Sequence, residues 1–210
     1  MNPLPPQAIR KAAAGTLDIA IRSVFEPSIA HVGPINTIGC FFLKHLTKCN
    51  FVPMAGSIWV PVQGGNVSLQ ASLDQVEDHQ YYVWSECEMP DGNVVLVDFA
   101  ARYWPAWAAE FGLSWPGKPL PYLWQPRDSI APETAVYTLH PEITDSVRHG
   151  INQAIESYDG DEPVATWEAV INDALERIAN RMQSNDEGWD YLMETGVVTP
   201  EDEEEQSSPN

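Results

Sequence analysis

HQYYVWSECEMPDGNVVLVDF, residues 79–99, decides the architecture. HQYYVWSECEM alternates and is rich in Tyr, Val and Trp, the residue types that fit a pleated, half-buried surface. Pro90-Asp91-Gly92-Asn93 supplies turn chemistry, and VVLVDF returns as a more deeply buried strand. The stretch therefore predicts an antiparallel hairpin at the centre of a sheet.

Upstream, FVPMAGSIWVPV (51–62) reads as a strand ended by Gln63-Gly64-Gly65, with a short strand near NVSLQ (66–70). Before it, GCFFLKHLTKC (39–49) predicts a helix beginning near Thr37, with Asn36 or Thr37 as N-cap. EPSIAHVGPINT (26–37) is loop chemistry, punctuated by Pro27, Gly33 and Pro34, and residues 7–25 carry Ile9, Ala13, Ala20, Ile21 and Val24 at helical spacing.

Downstream, ARYWPAWAAEFG (101–112) predicts a short helix interrupted at Pro105. SWPGKPLPYLWQP (114–126) predicts an ordered loop held by Trp115, Tyr122 and Trp124, and TAVYTL (134–139) one more strand. Two amphipathic helices follow. One, from Pro141, carries Ile143, Val147, Ile151 and Ile155; the other, from about Pro163, carries Trp167, Val170, Ala174, Ile178 and Met182. The order of elements predicts an α+β domain, a helix packed on an antiparallel sheet with additional C-terminal helices. A single domain is expected over residues 1–196, with 1–139 as the core and 140–196 as a helical part; residues 197–210 read as a disordered acidic tail.

Composition narrows the function classes. The chain has 210 residues, 44% of them hydrophobic and eight of them Trp, enough for a proper core. Its formal charge is −19, unevenly shared: residues 1–158 net −6, and residues 159–210 net −13. That balance argues against nucleic acid, which needs a basic footprint. Three Cys suit a reducing compartment better than a disulfide scaffold. The opening residues lack the apolar run of a signal peptide and no long apolar stretch occurs, so a cytoplasmic protein without membrane contact is expected. No His or Cys pair has metal-ligand spacing and no phosphate loop occurs; Gly64-Gly65 is only a turn. Neither metal nor cofactor is expected.

Three residues invite a chemical reading. Cys40 falls in the first turn of the predicted helix, where unpaired N–H groups and the dipole favour a thiolate; a small buried hydrophobe is the alternative. His79 opens the aromatic strand. Asp98 interrupts an apolar strand, where a carboxylate needs a partner to tolerate burial. A cysteine nucleophile needs a base in reach and a third group to orient that base. The backbone N–H of Cys40 is the natural oxyanion donor, and Asn36 a side-chain candidate unless it serves as N-cap. Cys49 lies at the helix C-terminal end, where the dipole disfavours a thiolate, and Cys87 is expected to pack within the hairpin. His31, His45, His140 and His149 have bland readings as loop, surface or helix-start residues.

Cys on a helix start, His on a strand and Asp on the next strand is an order that resembles transglutaminase-like enzymes of the papain-like cysteine protease superfamily. GCFFLKHLTKCNFVPMAGSIWV (39–60) looks like the nucleophile helix and first strand. His79 to Trp84 looks like the family's His-x-x-x-Val-Trp strand, followed by an Asp-Gly turn and a Val-Asp strand. The likeness spans about residues 36–103 and is closest to a group of uncharacterised bacterial proteins. It implies a papain-like fold and a Cys40-His79-Asp98 triad acting through an acyl-enzyme on a peptide or amide substrate. The enzyme would be a thiol peptidase or amidase with water as acceptor, or an acyltransferase or transglutaminase with an amine. A non-catalytic binding or structural protein retaining the fold is the other alternative. One geometric condition attaches. A tight Asp91-Gly92 hairpin pairing Met89 with Val94 sets Asp98 opposite Ser85, roughly 20 Å from His79 along the strand. The triad then requires a bulge, a longer loop or another pairing.

Overall fold

A computed structural model describes residues 2–24, 31–72, 81–156 and 164–199. His79 and the acidic loop before it lie outside the described residues, as do residues 200–210.

The chain is α+β, with every strand pairing antiparallel. Helices α1 (Gln7–Arg22) and α2 (Val32–Thr47) lead into β1 (Val52–Val62), β2 (Gly65–Leu69), β3 (Tyr82–Glu88) and β4 (Val94–Asp98). A 3-10 turn (Ala100–Tyr103) and α3 (Trp104–Glu110) follow, then β5 (Leu123–Pro126), β6 (Val136–Leu139), α4 (Pro141–Glu156), α5 (Val164–Met182) and α6 (Asp186–Glu194). The sheet order is β2-β1-β3-β4-β5, with β6 also pairing β1.

Helix α2 starts at Val32, five residues before the expected Thr37. Gly33 and Pro34 are inside its first turn, where a proline's missing N–H costs nothing because those donors have no intrahelical partner. Pro34 is therefore a helix residue and not the loop residue expected, and the whole helix start is displaced with it. Lys48, in the left-handed region at φ 54°, ends the helix by returning its N–H to the Lys44 carbonyl.

The β3–β4 hairpin is wider than the tight turn. Met89 donates its N–H to Asn93 O at 2.7 Å, Gly92 sits at φ 83°, and Glu88 faces Val94. Proline, aspartate and a left-handed glycine make a three-residue connection of the kind that adds a bulge. The register moves by one: Ser85 faces Val97, so Asp98 continues the ladder opposite Trp84 rather than Ser85. A one-residue slip transfers a side chain to the other face of a sheet. Asp98 consequently shares a face with Tyr82 and Trp84, while Val83 and Ser85 look toward the opposite side, at α4 and α2.

Two further expectations are corrected. Leu123–Pro126 is a strand paired to β4, not a loop; Pro126 is tolerated because β5 ends the strand order, where a donor is not needed on both sides. Val198, only 4% exposed, packs into the core, so an acidic tail beginning at 197 starts too early. The α5 stripe is buried through Val170, Ala174, Ile178 and Met182, whereas the α4 stripe is covered at Ile143 and exposed at Ile155. Gly39 lets α2 approach Phe99, since a Cβ there would meet the ring at 2.5 Å.

Candidate functional site

The polar centre of the molecule is the carboxylate of Asp98, at the last position of β4 and fully buried. Oδ1 accepts from Asn36 Nδ2 at 2.9 Å and from the Ala100 N–H at 2.8 Å. Oδ2 accepts from the hydroxyls of Tyr82 and Tyr137, both at 2.8 Å. An ionised carboxylate offers about four acceptor positions. All four are filled by donors. Burial pushes the Asp98 pKa above the ordinary carboxylate value, and the donors from Asn36, Tyr137, Tyr82 and Ala100 work against that rise.

Each donor is itself anchored. Asn36 gives its second amide hydrogen to Val83 O at 2.7 Å and accepts the Phe99 N–H at 2.9 Å. Only one orientation of the amide satisfies a carbonyl, a carboxylate and an N–H together, so its oxygen and nitrogen are assigned by the network. Asn36 thus ties α2 to β3 and to the end of β4. Tyr82 accepts from Trp104 Nε1 at 2.9 Å. Burial first, and then the Asp98 charge, lift the phenol pKa values of Tyr82 and Tyr137 well above the ordinary range, so neither gives up its proton near neutrality.

Cys40 is in the third turn of α2 and 1% exposed. Its N–H there is committed to the carbonyl four residues back, and the orphan donors of the helix start lie two turns away. The expected oxyanion donor and the dipole advantage both depend on a helix start at Thr37, and neither survives the observed one. Burial pushes the thiol up to about 11, against smaller opposing effects from Lys44, Ser85 and Arg148. The second oxyanion candidate, Asn36, has both amide hydrogens committed, and it is not an N-cap because it lies within the helix.

The structure thus brings Asn36 and Asp98 into direct contact and leaves Cys40 one helical turn beyond Asn36. What the sequence reading missed is the aromatic half of the cluster. In sequence Tyr82 is one of several neighbouring aromatics suited to the core, and the corrected hairpin register is the signal that would have singled it out. Tyr137 gave no local signal, since it arrives on β6 from 39 residues beyond Asp98.

A second buried carboxylate, Glu86, accepts from Trp84 Nε1 at 2.7 Å and pairs with Arg127 at 2.9 Å. Among the described residues no group of three His, Cys, Asp or Glu side chains could hold a metal ion. No described helix is long and apolar enough to cross a membrane.

No family model matches this sequence, and no curated protein matches it. A solved structure, the crystal structure of a genomics target, is similar at 14% identity and a TM-score of 0.47, covering 83% of this chain and 78% of that one. The likeness at that level carries no functional argument.

Proposed function

We propose that the chain is a non-catalytic binding or structural protein built on a papain-like, transglutaminase-like fold. The packing of α2 against β3, with a buried aspartate at the end of the adjacent strand, supports the fold reading. One observation carries the functional reading: the four acceptor positions of Asp98 are occupied by Asn36, Ala100, Tyr82 and Tyr137, so none is left to orient an imidazole. Tyr82 stands against the carboxylate where the family resemblance calls for a histidine. The buried, protonated Cys40 thiol supports the same conclusion.

The charge of −19 makes a basic surface the best-suited partner. Lack of binding to immobilised poly-lysine at low salt would remove that part of the reading.

Site-resolved alkylation of the native chain by iodoacetamide, from about pH 6 to 9, tests the main claim. Cys40 is expected to react only as fast as the protein unfolds, with no change in a His79→Ala variant. Rapid labelling of Cys40 below pH 7, lost in that variant, would overturn the proposal and restore a cysteine hydrolase or acyltransferase acting through Cys40, His79 and Asp98.

A further inference from the structure

One face of the sheet is covered only in part. Helices α2 and α4 lie over β3 and the start of β1, where Ala55 packs with Val83 and with Ile143 of α4. Thr144 fastens α4 there: its Oγ1 accepts the Ala55 N–H at 2.9 Å and donates to Ala55 O at 3.0 Å. Side chains alternate along a strand, so Ser57, Trp59 and Pro61 follow Ala55 on this face, while Ile58, Val60 and Val62 are buried on the other. Trp59 stands opposite Ser68 of β2 on one edge of β1 and opposite Val136 of β6 on the other edge. The same registers set Asn66 opposite Pro61 and Thr138 opposite Ser57. Ser57 Oγ, bonded to His140 Nε2 at 3.0 Å and accepting the Ala71 N–H at 2.9 Å, borders the covered half. Beyond it Trp59 is 39% and Val136 40% exposed, and Asn66, Ser68 and Thr138 are exposed too. Trp84, Trp104 and Trp124 give their indole N–H to protein acceptors, whereas Trp59 has no acceptor among the described residues.

This open face carries no charge. Residues 49–73 and 134–140 contain no Asp, Glu, Lys or Arg, in a chain of formal charge −19. The face is about 10 Å wide across its strands and about 13 Å long from Ser57 to Pro61. That area is far below the roughly 800 Å² per partner that a stable protein interface buries. The charge of the chain repels nucleic acid, anionic lipid and a second copy, and a basic ligand finds no carboxylate on the face to pair with. An uncharged ligand with a small contact area, one apolar side and hydroxyls at its rim matches all of this. We propose that the face binds a neutral oligosaccharide. The C–H side of a sugar ring packs against the Trp59 indole and Val136, gaining dispersion contacts and releasing water. Its hydroxyls exchange hydrogen bonds with the Asn66 amide, the hydroxyls of Ser68 and Thr138, and the Trp59 N–H. The site shares no residue with the Asp98 cluster or with Cys40 and does not depend on the state of either.

Isothermal titration of the full chain with neutral hexasaccharides tests the proposal: cellohexaose, laminarihexaose, maltohexaose, mannohexaose, xylohexaose and N-acetylchitohexaose. At least one is expected to bind with a Kd of about 1 mM or tighter. Trp59→Ala should weaken it about tenfold or more, and Asn66→Ala and Thr138→Ala each roughly 2–10-fold. Ser68→Glu, which brings a charge onto an exposed position of the face, should abolish it, so the test does not hang on the folding of one variant. Ile19→Ala, which trims an equally exposed apolar side chain on α1, should change nothing. Raising salt from about 0.05 to 0.5 M should leave this Kd unmoved while releasing poly-lysine from the acidic surface, which separates the two kinds of binding. Failure of all six sugars to bind, binding that survives both Trp59→Ala and Ser68→Glu, or binding that salt removes would each overturn the proposal. So would a dimer in sedimentation that Trp59→Ala dissolves, since a second copy would then occupy the face.

Discussion

A carboxylate that accepts four hydrogen bonds at zero exposure is costly to remove. Asp98→Ala leaves four donors buried without an acceptor, and we expect a loss of about 3–5 kcal/mol in unfolding free energy by urea titration. Tyr137→Phe removes one donor and should cost roughly 1.5–3 kcal/mol, the range for a hydrogen bond to a charged group. The pH dependence has a definite sign. Burial raises the Asp98 pKa in the folded state, so the native protein binds that proton more readily than the unfolded chain does. Its contribution is greatest below the ordinary carboxylate value and is lost as pH rises toward the folded one. The stability of Asp98→Asn relative to wild type should therefore fall as pH is lowered through that window. An unchanged difference across the range would contradict the assignment.

Helix α2 is the element on which both function readings turn, and its two glycines sit in different surroundings. Gly39 faces the Phe99 ring so closely that Gly39→Ala should overpack the contact and cost about 1–3 kcal/mol. Gly33, in the first turn, would have nothing beyond its chain neighbours within 4 Å of an added Cβ, but one of those neighbours is Pro34. Gly33→Ala should change stability little, because crowding of its Cβ by the Pro34 ring offsets the chain-entropy gain. Denaturation midpoints, lowered by Gly39→Ala and little moved by Gly33→Ala, check the packing of the helix. The hairpin offers a parallel lesson. Its strands and turn residues were legible from residues 79–99, yet the register hung on whether Gly92 closes a two-residue or a three-residue connection. Asp-Gly is compatible with both.

Across the molecule, long-range polar contacts join parts that the sequence leaves unrelated. Asp18 on α1 accepts from Tyr103 at 2.6 Å and pairs with Arg102 at 2.7 Å and Arg22 at 3.0 Å. Burial works to raise its pKa, but Tyr103, Arg102 and Arg22 together outweigh it and hold the carboxyl below the ordinary value. The contribution is present above the unfolded value and is lost as pH falls through the folded one, the opposite of Asp98. Asp18→Asn should flatten the acid limb of a stability profile measured by thermal unfolding from about pH 2 to 6; an unaltered limb would remove this role. At the other end of the chain, Val198→Ala should cost about 1–3 kcal/mol, because that side chain closes the core rather than opening a tail.

The α+β class, the central hairpin, both amphipathic stripes and the need of Asp98 for a partner all follow from the order of residues, because periodicity, turn chemistry and the cost of burying charge are local properties. Which partner Asp98 takes is settled in three dimensions. A helix start five residues early removes Cys40 from the N–H groups that would have activated it, a one-residue shift in register brings Tyr82 alongside the carboxylate, and Tyr137 completes the set from a distant strand. Local pattern specifies which face a residue takes within its own element. Which residues meet across elements is set by register and packing, and both depend on single turns that sequence pattern leaves open.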